Sequence, residues 1–153
     1  MDTLPCAEPA AQLGDTLPEG FAAIERGGPF FQTLGPAYMR QEASGPIVLA
    51  IRIHARHTNM RGAAHGGMLV TLADGALNAN LQQHYPPQQA LVTVSLGTNF
   101  LAPVHVGDWV EAHVRVSRAG RRLCFAECEL LVRERVVLRA NSVFAAAGAS
   151  APA

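Results

Sequence analysis

The chain has 153 residues, 49% of them hydrophobic and 16% charged, with 12 acidic and 12 basic side chains. That length suits one domain around one hydrophobic core, and the composition excludes a disordered chain. Balanced charge gives no electrostatic reason to expect nucleic acid or a membrane surface as partner. So few charges suit a small domain that buries part of its surface against other subunits.

No segment reaches the apolar length of a transmembrane helix. The N-terminus carries Asp2 and Glu8 and has no basic segment ahead of an apolar one, so it does not read as a signal peptide. The three cysteines, Cys6, Cys124 and Cys128, have no metal or redox spacing. They read as free thiols, Cys124 and Cys128 on one face of a strand, in a reducing, cytoplasmic setting.

Residues 1–17 read as a loose arm, 18–147 as the domain, and 148–153 as a fraying tail. A short helix is expected around Glu19–Arg26, stopped by Gly27-Gly28-Pro29. A first strand is expected over Gly35–Gln41, followed by a turn at Ser44-Gly45-Pro46. Ile47, Leu49, Ile51 and Ile53 then alternate with Val48, Ala50, Arg52 and His54, the period of a strand.

The stretch from His57 to Gly67 is too polar and glycine-rich for a regular element. Met68–Leu81 reads as a helix. Met68, Leu69, Leu72, Ala73, Ala76 and Leu77 form its apolar arc, and Thr71, Asp74 and Asn78 its polar one. Pro86-Pro87 ends that segment.

Four further strands are expected, at Leu91–Leu101, Trp109–Ser117, Leu123–Arg133 and Val136–Ala146. In the first, strict alternation puts Val92, Val94, Leu96 and Phe100 on one face and Thr93, Ser95 and Asn99 on the other. About six strands, mostly joined by short turns, make a largely antiparallel sheet with one central helix, an α+β layer solution.

The chemistry gathers between Asn59 and Asp74. A loop amide, a histidine and a Gly66-Gly67 pair precede a helix that carries a carboxylate two turns in. The first amides of a helix have no acceptor within it, and the positive end of the dipole lies there. Glycine lets a ligand approach that backbone closely. The Gly66 N–H is therefore a candidate oxyanion donor. Asp74 can act as nucleophile or as general base on water, with Asn59 and Thr93 orienting that water. Each residue also has a plainer reading. Asp74 could be a solvated helix residue, His65 a fixing group for its loop, the glycine pair a turn, and Thr93 an ordinary strand threonine.

Taken together, Asn59, Gly62, His65-Gly66-Gly67 and Thr71-Leu72-Ala73-Asp74 resemble the PaaI-type branch of the hotdog-fold acyl-CoA thioesterases. The run Val92–Leu96, Asn99-Phe100-Leu101, Pro103 and Gly107-Asp108 is similar to that family's next two strands. The resemblance covers roughly residues 30–146. It implies a hotdog fold, one long helix wrapped by a curved, largely antiparallel six-stranded sheet.

It also implies hydrolysis of acyl-CoA thioesters, aromatic or medium- to long-chain, with no cofactor beyond the coenzyme A of the substrate. Asp74 stands where the family has its nucleophile or base, and Gly66 where an amide polarises the carbonyl. Asn59, His65 and Thr93 stand where water and the thioester are held. The site is then shared across a homodimer or homotetramer, with Asp74 and Thr93 from one chain and Asn59, His65 and Gly66 from its partner. Arg118, Gly120 and Arg121 align with contacts to the CoA phosphates; Gly67 and Arg61 are further substrate candidates, and Arg122 reads as a solvated turn residue. Phe30, Phe31 and Leu34 are candidates for lining the acyl pocket.

Two rival readings exist. A hotdog hydratase or dehydratase pairs an Asp with a His, and Asp108 and His113 stand at a suggestive spacing, without the intervening Asn-Pro. A non-catalytic acyl-CoA-binding domain would have no need of Asp74. His54 and His57 lie close together but have no further metal ligand at a familiar spacing.

Overall fold

The computed structural model describes residues 16–147. The expected arm, apart from residues 16 and 17, the tail, and Cys6 lie outside them. The strands are β1 (Ala22–Ile24), β2 (Ala37–Arg40), β3 (Val48–Arg52), β4 (Ala90–Phe100), β5 (Trp109–Ala119), β6 (Leu123–Val132) and β7 (Arg135–Ala147). They form one antiparallel sheet in the order β1-β2-β3-β5-β6-β7-β4. A short helix α1 (Gly28–Gln32) follows β1, and the long helix α2 (Gly66–Gln82) lies between β3 and β4.

The alternation read in the sequence decides which face is buried. Leu49 and Ile51 of β3, Val110 and Ala112 of β5, and Cys124, Ala126, Cys128 and Leu130 of β6 point inward with Leu138, Ala140 and Phe144 of β7. The α2 arc Met68, Leu69, Leu72, Ala73, Ala76 and Leu77 packs against them. Burying one face of the sheet under one face of the helix makes a single core. Asn80 is the polar exception. Its Oδ1 accepts from Ile47 N at 2.9 Å, and its Nδ2 donates to Ile47 O at 2.8 Å and Ala76 O at 2.9 Å. The amide satisfies a buried helix face and the lead-in to β3 at once.

Two expectations near the N-terminus need correction. Glu19–Arg26 is no helix: Ala22–Ile24 forms β1, paired with β2 from Ala22↔Met39 to Ile24↔Ala37. Among the described residues the sheet therefore has seven strands. The segment is too short to sustain an apolar helical stripe, and the open edge of β2 supplies its hydrogen bonds. Gly27-Gly28-Pro29 begins a helix instead of ending one. Gly27 caps α1 at φ 104° and Pro29 stands in its first turn, where its missing N–H costs nothing.

The third correction concerns β4. Its pairing with β7 slips between Thr93 and Ser95, which leaves Val94 as a bulge. Thr93 stands opposite Phe144, and Leu96, Thr98 and Phe100 stand opposite Ser142, Ala140 and Leu138. All four partners are buried. Thr93 thus shares the helix-side face with Leu96, Thr98 and Phe100. An extra residue reverses the parity of everything before it, which strict alternation cannot register.

Candidate functional site

The loop before α2 folds on itself. Thr58 bridges to Ala64, and Ala63 bridges to His105. Asn59 Oδ1 accepts from Arg61 N at 2.8 Å, and Gly62 turns the chain at φ 77°. His65 caps α2: its Nδ1 accepts from Gly67 N at 3.0 Å. Gly67's amide is thereby engaged by the cap. Gly66 is the first helical residue, so its N–H has no acceptor within α2.

The Phe100 ring packs beside Gly66. A Cβ at Gly66 would lie 3.0 Å from the Phe100 Cζ. The ring is 54% exposed and, with Asn59, Gly66 and Leu69, lines a cleft of 440 Å³ that extends along residues 101–104. A second cleft of 370 Å³ lies by His65, lined with Thr33, Leu34, Arg56 and His57.

Asp74, eight residues into α2, is half-buried on the polar arc with Thr71 and Asn78. Thr93 Oγ1 donates to Asp74 Oδ1 at 2.9 Å. The bulge is what lets the hydroxyl reach the carboxylate. The helix rises about 1.5 Å per residue, so the Asp74 backbone is about 12 Å along the axis from Gly66. Within one chain, therefore, Asp74 meets Thr93 and does not meet Asn59, His65 or Gly66.

The basic candidates also divide. Arg118, Gly120 and Arg121 lie in and beside the β5–β6 turn, at the C-terminal end of α2, where Tyr85 Oη donates to Gly120 O at 2.7 Å. The register Ala119↔Cys124, Cys124↔Phe144, Phe144↔Thr93 sets this turn three strand spacings from Thr93, about 14 Å. Arg61 is at the opposite end, in the loop before α2. Phe31 is buried, packed on Gly75, where a Cβ would lie 2.7 Å from its ring; Phe30 points out.

Sequence patterning assigned no role to His57, which is buried beneath the α1 segment. Its Nε2 lies 2.6 Å from Leu34 O, and its Nδ1 accepts from His54 N at 3.0 Å. With Nδ1 accepting, the ring is neutral and donates through Nε2. Burial lowers its pKa below the usual 6.5, against the raising effect of the Leu34 carbonyl; Arg56 and His54 add to the lowering. Burial pushes the Cys128 thiol up to about 12.

The hydratase pair does not form. Asp108 Oδ2 accepts from His105 N at 2.8 Å and shapes the turn before β5, whereas His113 meets Glu111 Oε2 at 2.9 Å on the outer face. Among the described residues no three His, Cys, Asp or Glu side chains cluster as a metal site, and no helix is long and apolar enough to cross a membrane.

A single helix laid against an antiparallel sheet, with a glycine amide at its start and a carboxylate on its polar arc, is the hotdog arrangement. The Thioesterase superfamily profile matches residues 61–138, and the chain belongs to that family. A Pseudomonas aeruginosa protein that carries an esterase name is 43% identical over 128 residues, covering 84% of this chain and 96% of that one. Human acyl-coenzyme A thioesterase 13 is 25% identical over 120 residues, covering 77% and 84%. The structure of a point mutant of the phenylacetic acid degradation protein PaaI from Thermus thermophilus aligns at a TM-score of 0.70. It is 27% identical and covers 78% of this chain and all of that one.

Proposed function

We propose that the protein hydrolyses acyl-CoA thioesters in sites shared between two copies of the chain. The observation that carries this is the separation within α2. A carbonyl must touch both an oxyanion donor and the group that delivers water, and Gly66 and Asp74 are about 12 Å apart along one helix. Two antiparallel copies can bring Asp74 and Thr93 of one to Gly66, His65 and Asn59 of the other.

In this reading Thr93 holds Asp74 Oδ1, which leaves Oδ2 to take a proton from water. The hydroxide attacks the thioester carbon, and the oxyanion is held by the Gly66 N–H. Collapse breaks the C–S bond, and protonated Asp74 returns its proton to the departing CoA thiolate. The Phe100 ring, packed beside Gly66, lines the cleft in which the thioester would lie. Arg118 and Arg121, about 14 Å from Thr93 across the sheet, receive the CoA phosphates with the Gly120 turn, and Arg61 is a second cation for them. The acyl group is aromatic or a medium to long chain, in keeping with the names of the Thermus and human relatives. The free buried thiols Cys124 and Cys128 suit a reducing, cytoplasmic compartment.

The test is thiol release from a panel of acyl-CoAs, read with a chromogenic trap, for wild type and Asp74→Asn. Cleavage that falls by about a hundredfold or more in the variant is expected. A variant as active as wild type sinks the assignment of Asp74.

A further inference from the structure

The cleft beside His65 has no part in the reaction just proposed. We infer that it receives the far end of the acyl group, and that Arg56 in it selects acyl chains ending in a carboxylate. The inference rests on the shared-site reading and narrows its substrate class to ω-carboxyacyl-CoAs, the thioesters of dicarboxylic acids.

The cleft has a volume of 370 Å³ and lies between the end of α1 and the start of α2. Leu34 and Met68 give it apolar walls. Most of its polar groups are already engaged. The Thr33 hydroxyl donates to Phe30 O at 2.6 Å, and the Thr58 hydroxyl to Ala55 O at 2.7 Å. The His57 ring is held by Leu34 O and His54 N. His65 Nδ1 accepts from Gly67 N, so its Nε2 carries the ring proton. Arg56 and His65 are the lining side chains with donors left over.

No acidic side chain lines this cleft. Among the described residues Arg56 forms no ion pair. A guanidinium is charged at any working pH, and its fork matches a carboxylate. A pocket with such a donor, a second N–H and no acid of its own fits an anion.

Arg56 is also held in place. Its guanidinium lies over Gly35, at φ 91°, where any Cβ would collide with Nη2. Its Nε is 3.4 Å from His57 Nε2. A fork already placed loses less freedom on binding than a solvated one.

The position suits the far end of the substrate. His65 N donates to His57 O at 2.7 Å, which sets the Arg56-His57 backbone beside that of His65, next to the Gly66 amide. Arg56 Cα is thus within about 9 Å of His65 Cα, one chain spacing plus one residue. The CoA phosphates lie at Arg118 and Arg121 of the chain that supplies Thr93. The acyl group, on the other side of the thioester, extends into the chain that supplies Gly66, towards its Arg56.

Matched pairs of acyl-CoAs, equal in chain length but ending in a methyl or a carboxylate, test this. Hexanoyl- is set against adipoyl-CoA, octanoyl- against suberoyl-CoA, and decanoyl- against sebacoyl-CoA. Thiol release gives kcat/KM for wild type, Arg56→Met and Arg56→Lys, and thermal melting checks that both variants fold. In wild type at least one pair should favour the carboxylate by about tenfold. Arg56→Met should abolish that preference, and Arg56→Lys should keep part of it. A wild type without the preference, or a preference that survives Arg56→Met, overturns the inference and leaves the shared site standing. Equal loss for both members of every pair also overturns it, by assigning Arg56 to the CoA portion they share. A protein that cleaves no acyl-CoA at all overturns the thioesterase reading as well.

Discussion

His57 offers a test of how the N-terminal segment is held on the core. The ring is 4% exposed, joins Leu34 O through Nε2, and accepts from His54 N through Nδ1. His57→Ala removes two hydrogen bonds, each worth about 0.5–1.5 kcal/mol, and leaves a small cavity. Together these cost about 3 kcal/mol, or about 9 °C in Tm for a chain of this size. The pH dependence distinguishes this account from simple loss of packing. Burial lowers the folded-state pKa below 6.5, so below that pH the unfolded chain binds a proton that the folded chain resists. The contribution of the neutral ring is complete above pH 6.5 and is lost as pH falls, by at most about 1.4 kcal/mol per pH unit. Urea unfolding of wild type and His57→Ala at about pH 8, 6.5, 6 and 5.5 should therefore show the largest stability gap at the two higher values and a narrowing gap below. A gap that widens on acidification would mean that the folded ring is cationic, and the assignment of Nδ1 as acceptor would fail.

Other perturbations follow from the same contacts. Thr93→Val keeps the shape of the side chain but removes the donor to Asp74 Oδ1. It should lower kcat/KM by about tenfold, with Thr93→Ser near wild type; equal rates in all three would separate Thr93 from the reaction. Gly75→Ala puts a Cβ 2.7 Å from the Phe31 ring and should cost about 1–3 kcal/mol, largely relieved by Phe31→Leu. Strictly additive effects in that double-mutant cycle would refute the contact. Asn80→Ala strands Ile47 N and O and should cost about 2–3 kcal/mol. Faster hydrogen exchange at Ile47 than within β3 is its signature, and unchanged exchange at Ile47 would count against the link.

Much of this molecule was legible where period and burial agree. The apolar arc from Met68 to Leu77 and the alternation of Leu49, Ile51 and Ile53 each name their buried face in the sequence, and the structure buries them. The Asp74–Thr93 pair was nameable through the family resemblance, yet strict alternation turned Thr93 the wrong way, because a bulge leaves no mark in hydrophobic period. The sign was present in the numbers: Thr93 and Phe100 are seven residues apart, an odd interval, and both serve the helix side. β1 escaped because three residues carry no period, and its pairing depends on the edge of β2 beyond α1. His57 and Asn80 each carry a weak signal, a polar residue on an otherwise buried face, which tells that a partner exists without naming it.

The bulge at Val94 also affects how this strand can be compared with others. Between the positions facing Thr93 and Phe100, β7 takes six steps, from Phe144 to Leu138, where β4 takes seven. A chain without the surplus residue would carry its hydroxyl six places before the aromatic ring and still present both to the same helix. Residue spacing along this strand is thus not a fixed property of the chemistry. Two sequences can differ by one in their count and agree atom for atom in their geometry, so the sound reference for locating the hydroxyl is its cross-strand neighbour.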